Sequence, residues 1–311
     1  MIQIDEVAAD ARPLIEAFRQ AGGLSFEKLG VDAARSAYER SCAANGLPPV
    51  ASVDSVDMTL GSDGVRVRWY SAPATTASAN RPVVLFLHGG GWVIGSLETH
   101  DSLCRYLAAQ VLVDVVAVDY RLAPEWPYPA AIDDSRAAMA ALARGDITGS
   151  PPPAIAVMGD SAGGALAATL AAEYENVPEP PRLAAQVLLY PVTDLTMATS
   201  SYGRITEGFA LTAATMRWFA GMYAPPGILD SREPSASPAF ARQPPAPAPA
   251  YICTVGLDPL SDEGRAYAEI LCAAGGSVLH RHLPRHAHGL FTSAGRITTG
   301  RAVVGGVGHF L

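Results

Sequence analysis

Ile155-Ala156-Val157-Met158-Gly159-Asp160-Ser161-Ala162-Gly163-Gly164, followed by the alanine-rich run Ala165 to Tyr174, decides how the rest of the chain is read. The four apolar residues predict a buried strand, and the run beyond the glycines predicts a helix. Between them Gly159 to Gly163 fits G-x-S-x-G, a turn that lifts one serine above the edge of a sheet on a strained backbone. Glycine at 159 and 163 lets the helix begin close against the strand. Ser161 is therefore the candidate nucleophile.

A serine hydroxyl at neutral pH is a poor nucleophile, so Ser161 needs an imidazole base and a carboxylate to orient it. Where a serine stands on such a turn, the acid and then the histidine follow it in the chain. Asp258, in Val255-Gly256-Leu257-Asp258-Pro259, comes directly after a predicted buried strand, at the end of the sheet where ligands bind. Asp194, after Tyr190-Pro191-Val192, has a similar position and is read as a structural or pocket residue. Asp262 and Glu263 stand where a helix begins and would complement its N-terminus.

Four histidines, His280, His282, His286 and His288, lie close together. Histidines so spaced can ligate zinc, yet His280 and His282 fall on a predicted strand and the nearby sequence lacks a carboxylate or cysteine at ligand spacing. No metal is expected. His288, in His286-Ala287-His288-Gly289-Leu290, lies in a loop after the last predicted strand and is the expected base, with His286 its rival.

Upstream by 73 residues, Leu87-His88-Gly89-Gly90-Gly91-Trp92 follows the apolar run Val83 to Leu87. Glycine here lets backbone approach a substrate with no Cβ in the way. The amides of Gly90 and Gly91, with that of Ala162, can hold the negative oxygen of a tetrahedral intermediate, an interaction worth about 3 to 4 kcal/mol per donor. A glycine triplet alone says little. Its place ahead of the serine turn, with an acid and a histidine in order behind, gives it meaning.

The wider chain predicts an α/β fold with a mostly parallel, doubly wound sheet. Apolar runs at Val83 to Leu87, Val115 to Val118, Ile155 to Met158, Val187 to Tyr190 and Tyr251 to Val255 read as buried strands, and Val278 to Leu283 as a more polar last one. Helices are expected near Asp101 to Gln110, Ala131 to Ala143, Ala162 to Tyr174 and Glu263 to Ala274. Ser52 to Leu60 and Val65 to Tyr70, around Gly61-Ser62-Asp63-Gly64, predict an antiparallel edge hairpin, and Pro73 to Pro82 a loop. The first fifty residues carry helical spacing, with Val7, Leu14, Ile15 and Phe18 on one face and Ala33, Ala34, Ala37 and Tyr38 on another, ending at Pro48 and Pro49. Thr212 to Tyr223 reads as a helix outside the strand rhythm.

With 311 residues, 49% apolar content and a net charge of −8, the chain has the composition of a globular protein and no basic footprint for nucleic acid. The acidic start does not resemble a secretory leader, and no uninterrupted apolar run reaches membrane-spanning length, so a cytoplasmic enzyme without membrane association is expected. Four cysteines, Cys42, Cys104, Cys253 and Cys272, lack C-x-x-C spacing and read as reduced thiols.

The sequence resembles the hormone-sensitive-lipase-like family (bacterial family IV) of serine esterases, with the α/β-hydrolase fold. The resemblance rests on HGGGW at 88–92, DYRLAPE at 119–125 with PAA at 129–131, GDSAGG at 159–164, YPVTD at 190–194, DPLSDEG at 258–264 and HG at 288–289, and covers roughly residues 53 to 311. It implies a serine carboxylesterase with Ser161, Asp258 and His288 as triad and Gly90, Gly91 and Ala162 as oxyanion donors. It also implies a helical cap, here residues 1–50 and about 196–232, over a catalytic domain at 51–311. Leu290 replaces the phenylalanine common after the family's HG, next to the pocket.

The chemistry expected is attack of Ser161 on an ester carbonyl, deacylation by water, and no cofactor. Candidate pocket walls are Trp92, Phe209, Leu211, Trp218 and Phe219, and the modest cap length suits small esters with short to medium acyl chains. Arg121 and Glu125 read as an internal pair, and Asp160 as loop support. The partner is a small-molecule ester, and a homodimer is left open. Amide or lactone hydrolysis, acyl transfer on the same triad, and a non-catalytic ligand-binding protein are the other readings.

Overall fold

The apolar runs form the centre of one eight-stranded sheet in the computed structural model, which describes residues 2–48, 50–61, 64–72, 82–174 and 181–311. In chain order the strands are β1 (Asp54–Leu60), β2 (Val65–Ser71), β3 (Val83–Leu87), β4 (Asp114–Asp119), β5 (Ala154–Asp160), β6 (Arg182–Leu189), β7 (Ala250–Leu257) and β8 (Val278–Ala287). They lie side by side as β1-β2-β4-β3-β5-β6-β7-β8. The β1–β2 and β2–β4 pairs are antiparallel, and all others are parallel.

Alternation along β3 explains its unbroken apolar sequence. Val83, Leu85 and Leu87 enter one buried cluster and Val84 and Phe86 the other, because both faces of the sheet are covered. The covering helices are α3 (Leu97–Val111), α4 (Ala130–Arg144), α5 (Ala162–Tyr174), α8 (Ser261–Ala273) and α9 (Thr298–Phe310). Short side chains let α5 sit deep, and every residue from Ala162 to Ala172 is buried.

Register brings four loops to one end of the sheet. Leu87 stands opposite Gly159 across the β3–β5 pair, so the glycine-rich turn and the serine turn leave the sheet side by side. Leu257 stands opposite Ala287 across β7–β8, which places Asp258 and His288 one residue beyond the same level. Over this end lie α1 (Arg12–Gln20) and α2 (Val31–Asn45) from the N-terminal segment, and α6 (Ser200–Arg204) and α7 (Ala213–Tyr223) from the insertion after β6. The two segments are tied together: Arg19 Nε donates to Gly208 O at 3.2 Å, and Thr215 Oγ1 to Glu27 Oε2 at 2.7 Å.

Several elements differ from the sequence reading. The last strand continues to Ala287 and takes in His286, and β6 begins at Arg182. Helix α9 was not expected, since four glycines depress its intrinsic propensity. Packing of Val303, Val304 and Val307, which are buried, holds it instead. Val7 precedes α1 and Ala33 faces solvent, so neither belongs to the face assigned to it. Pro49, Ser62, Asp63 and residues 73–81 lie outside the described residues. No described helix is long and apolar enough to cross a membrane.

Candidate active site

Ser161 has the strained geometry its sequence context predicts, with φ of 55° directly after β5. The strain is held by hydrogen bonds on both sides: Ser161 N–H donates to Leu189 O at 2.8 Å, and Ser161 O accepts from Val192 N–H at 3.1 Å. Glycine at 163 is a matter of space. A Cβ there would lie 2.0 Å from Leu87 O, so any side chain would push α5 away from β3.

His288 bridges Ser161 and Asp258. Its Nε2 lies 2.9 Å from Ser161 Oγ and its Nδ1 2.7 Å from Asp258 Oδ2. With a neutral imidazole protonated on Nδ1, Nδ1 donates to the carboxylate and Nε2 accepts from the serine hydroxyl. Asp258 is completely buried, and its Oδ1 accepts from Leu260 N–H at 2.9 Å, which fixes the carboxylate plane. The Tyr190 ring packs on the imidazole with centroids 4.1 Å apart. His286, the rival ring, bonds instead to Asp10 Oδ1 at 3.1 Å on the N-terminal segment. Its partner Asp10 also accepts from Thr299 N–H at the start of α9.

The glycine-rich turn is braced from beneath by a buried polar cluster. Asp160 Oδ1 accepts from Gly89 N–H at 2.8 Å and lies 3.1 Å from His100 Nε2, and all three side-chain partners of this cluster, Asp160, His100 and His88, are buried. Burial works against the Asp160 charge, but His100, the Gly89 amide and His288 outweigh it and hold the carboxyl below its ordinary range. The His88 ring stacks on Tyr120 with centroids 4.2 Å apart, and its Nδ1 bonds to Gly89 O at 2.9 Å. Burial, with His100 beside it, pushes the His88 imidazole down to about 4, so the ring is neutral. Asp160 is thus loop support, as expected from its place in the turn, and the loop it supports is the glycine-rich one.

Gly91 has φ of 59°, and a Cβ there would lie 2.3 Å from the Phe219 ring. Ala162 opens α5, so its N–H has no carbonyl partner within the helix. Gly90, Gly91, Ser161 and His288 share a cavity of about 430 Å³.

Of the five expected pocket walls, Phe209, Leu211 and Phe219 line this cavity. Trp92 and Trp218 are not among its lining residues. Trp92 is buried in the core and stacks on Tyr223 with centroids 4.2 Å apart, and Trp218 packs beside Phe219 at 5.1 Å. Leu290 also turns inward: it is fully buried, with its Cδ1 against α9 at Gly300. Arg121 and Glu125 are drawn to other partners, Arg121 to Asp134 and Glu125 to Arg35 on α2. Arg35 also donates to Val93 O at 2.9 Å, joining α2 to the loop after Trp92.

The sequence reading missed the walls given by the N-terminal segment, Leu14, Ile15, Phe18 and Phe26. Three of them formed the apolar face noted on the first helix, and that face covers the cavity.

Residues 84–292, more than half of the chain, match the sequence profile of the α/β-hydrolase fold. The chain belongs to this family. An ethyl acetate hydrolase of Pseudomonas putida is 38% identical over 283 residues, covering 88% of each chain. The carboxylic ester hydrolase LipN of Mycobacterium tuberculosis is 41% identical over 251 residues, which span 78% of this chain and 65% of LipN. Among solved structures, a thermostable esterase from Pseudomonas putida ECU1011 superposes with a TM-score of 0.89 at 31% identity, covering 97% of this chain and 95% of that one. The hormone-sensitive-lipase-like resemblance drawn from the α/β-hydrolase motifs is thereby borne out.

Proposed function

We propose that the protein is a serine carboxylesterase that hydrolyses small carboxylic esters through an acyl-enzyme. The observation that carries this reading is the continuous hydrogen-bonded line from Asp258 through His288 to Ser161, at 2.7 and 2.9 Å. Ser161 Oγ attacks the ester carbonyl as His288 Nε2 takes its proton. The N–H groups of Gly90, Gly91 and Ala162 stabilise the oxygen that becomes negative. His288 then protonates the leaving alcohol, and water repeats the sequence to release the acid. Asp258 keeps Nδ1 protonated and stabilises the imidazolium.

The N-terminal segment and the insertion around 196–232 act as a cap. Together they supply about half of the residues that line the cavity, most of them apolar, and its modest volume favours short to medium acyl chains. The relatives named for ester hydrolysis support the same bond type.

The test compares p-nitrophenyl acetate, butyrate and a longer ester with matched anilides. Turnover of the short esters, falling with chain length and far exceeding that of the anilides, is the expected result. Absence of turnover on every activated ester contradicts it.

A further inference from the structure

The cavity beside Ser161 has two kinds of wall. Most of it is apolar, but the residues of α2 that face it are Tyr38, Ser41 and Asn45. These are spaced i, i+3 and i+7 and so share one helix face. Ser41 is exposed and Tyr38 and Asn45 are half-buried, so this stripe lies at the rim of the cavity. It carries a phenol, a hydroxyl and an amide. Thr292 and Ser293, from the turn after His288, complete a polar seam, and Gly295 N–H closes the backbone across it by donating to Asn45 O at 3.0 Å. No lysine or arginine is among the described residues that line the cavity.

We propose that this seam receives a neutral hydroxyl on the alcohol portion of the ester, so that the favoured substrates are short-acyl monoesters of diols and polyols. The inference rests on the esterase reading above and narrows its substrate class. The leaving oxygen must take its proton from His288, so the alcohol lies on the His288 side of the cavity. That side is bordered by the turn carrying Thr292 and Ser293. Thr292 Oγ1 donates to Gly289 O at 3.2 Å and is also bonded to the Tyr38 hydroxyl, which fixes both hydroxyls within the seam beside Ser41, Asn45 and Ser293. The aromatic ring of Phe219 stands instead against Gly91. An anionic substituent meets no lysine or arginine among the described residues that line this cavity.

The experiment holds the acyl group constant and varies the alcohol: butyl acetate, 4-hydroxybutyl acetate and 4-acetoxybutanoate, with p-nitrophenyl acetate measured separately. One net hydrogen bond to a neutral group predicts a kcat/KM for the hydroxy ester about three- to ten-fold above that for butyl acetate, expressed mainly in KM. The carboxylate analogue is turned over least. In Thr292→Val and in Asn45→Leu the ratio of hydroxy ester to butyl ester moves toward one. A wild-type ratio of one or less, or a ratio unmoved in both variants, overturns the seam while turnover of p-nitrophenyl acetate keeps the esterase reading intact. No turnover of p-nitrophenyl acetate overturns the esterase reading and the seam together.

Discussion

His288 Nε2 stands 2.9 Å from Ser161 Oγ, while the neighbouring imidazole of His286, two residues away in the chain, is turned to Asp10 on the N-terminal segment. One strand end thus supplies two rings with separate partners. His288→Ala is expected to lower kcat on p-nitrophenyl acetate by at least about 10³-fold. His286→Ala is expected to keep kcat within about three-fold and to lower the melting temperature, because it removes a partly buried hydrogen bond worth about 1 kcal/mol. The reverse pattern contradicts the assignment of His288.

Asp160 Oδ1 accepts the Gly89 amide and faces His100, so its charge is joined to the position of the glycine-rich turn. Asp160→Asn keeps a carbonyl oxygen for Gly89 but removes the charge facing His100. The expected result is a fall in kcat of about ten-fold with KM within about two-fold, because the donors are displaced from the transition-state oxygen more than from the ground state. A change confined to KM excludes a role at the oxyanion.

The His88 imidazole gives a pH dependence of stability. Its folded-state pKa is lowered from 6.5 to about 4 by burial. Below 6.5 the unfolded chain binds a proton that the folded chain refuses, so stability is full above about 6.5 and declines as pH falls toward 4. The expected loss from this group is on the order of 3 kcal/mol. Urea denaturation at pH 7 and pH 4.5 measures it. His88→Gln should show a smaller difference between the two pH values than wild type, and an equal difference refutes the attribution.

Cavity walls and neighbouring core aromatics separate in the same way. Phe209 lines the cavity beside Ser161, whereas Trp218 does not. Phe209→Ala is expected to raise KM for p-nitrophenyl butyrate by about three- to ten-fold, in line with lost apolar burial. Trp218→Ala is expected to leave the ratio of butyrate to acetate turnover within about two-fold of wild type. Michaelis–Menten analysis of both substrates reads the difference.

What was legible in the sequence follows from how local its physics is. The strand–Ser161–helix turn, the glycines at 90 and 91 and the apolar runs of the central strands owe their form to neighbours in the chain, and the register of β3 with β5 then brings the two turns together. Less local features escaped. Trp92 sits next to the glycine triplet, yet its backbone, with φ of 59°, sends the ring into the core against Tyr223. Arg121 and Glu125 are close in sequence, but Asp134 and Arg35 reach them from α4 and α2. Helix α9 is glycine-rich and is held by tertiary packing, with Gly300 lying against Leu290. The apolar face of α1 was visible as Leu14, Ile15 and Phe18, but the cavity it covers exists only once the N-terminal segment folds back over the strand ends.

The central claim is that Ser161 is the nucleophile, and trapping the covalent intermediate tests it most directly. Incubation with diethyl p-nitrophenyl phosphate, followed by peptide mass spectrometry, should show one diethylphosphoryl group per chain on the peptide containing Ser161, with esterase activity lost in parallel. Ser161→Ala should take up no label and lose turnover. A label on another residue that tracks the loss of activity, or undiminished hydrolysis by Ser161→Ala, would contradict the account.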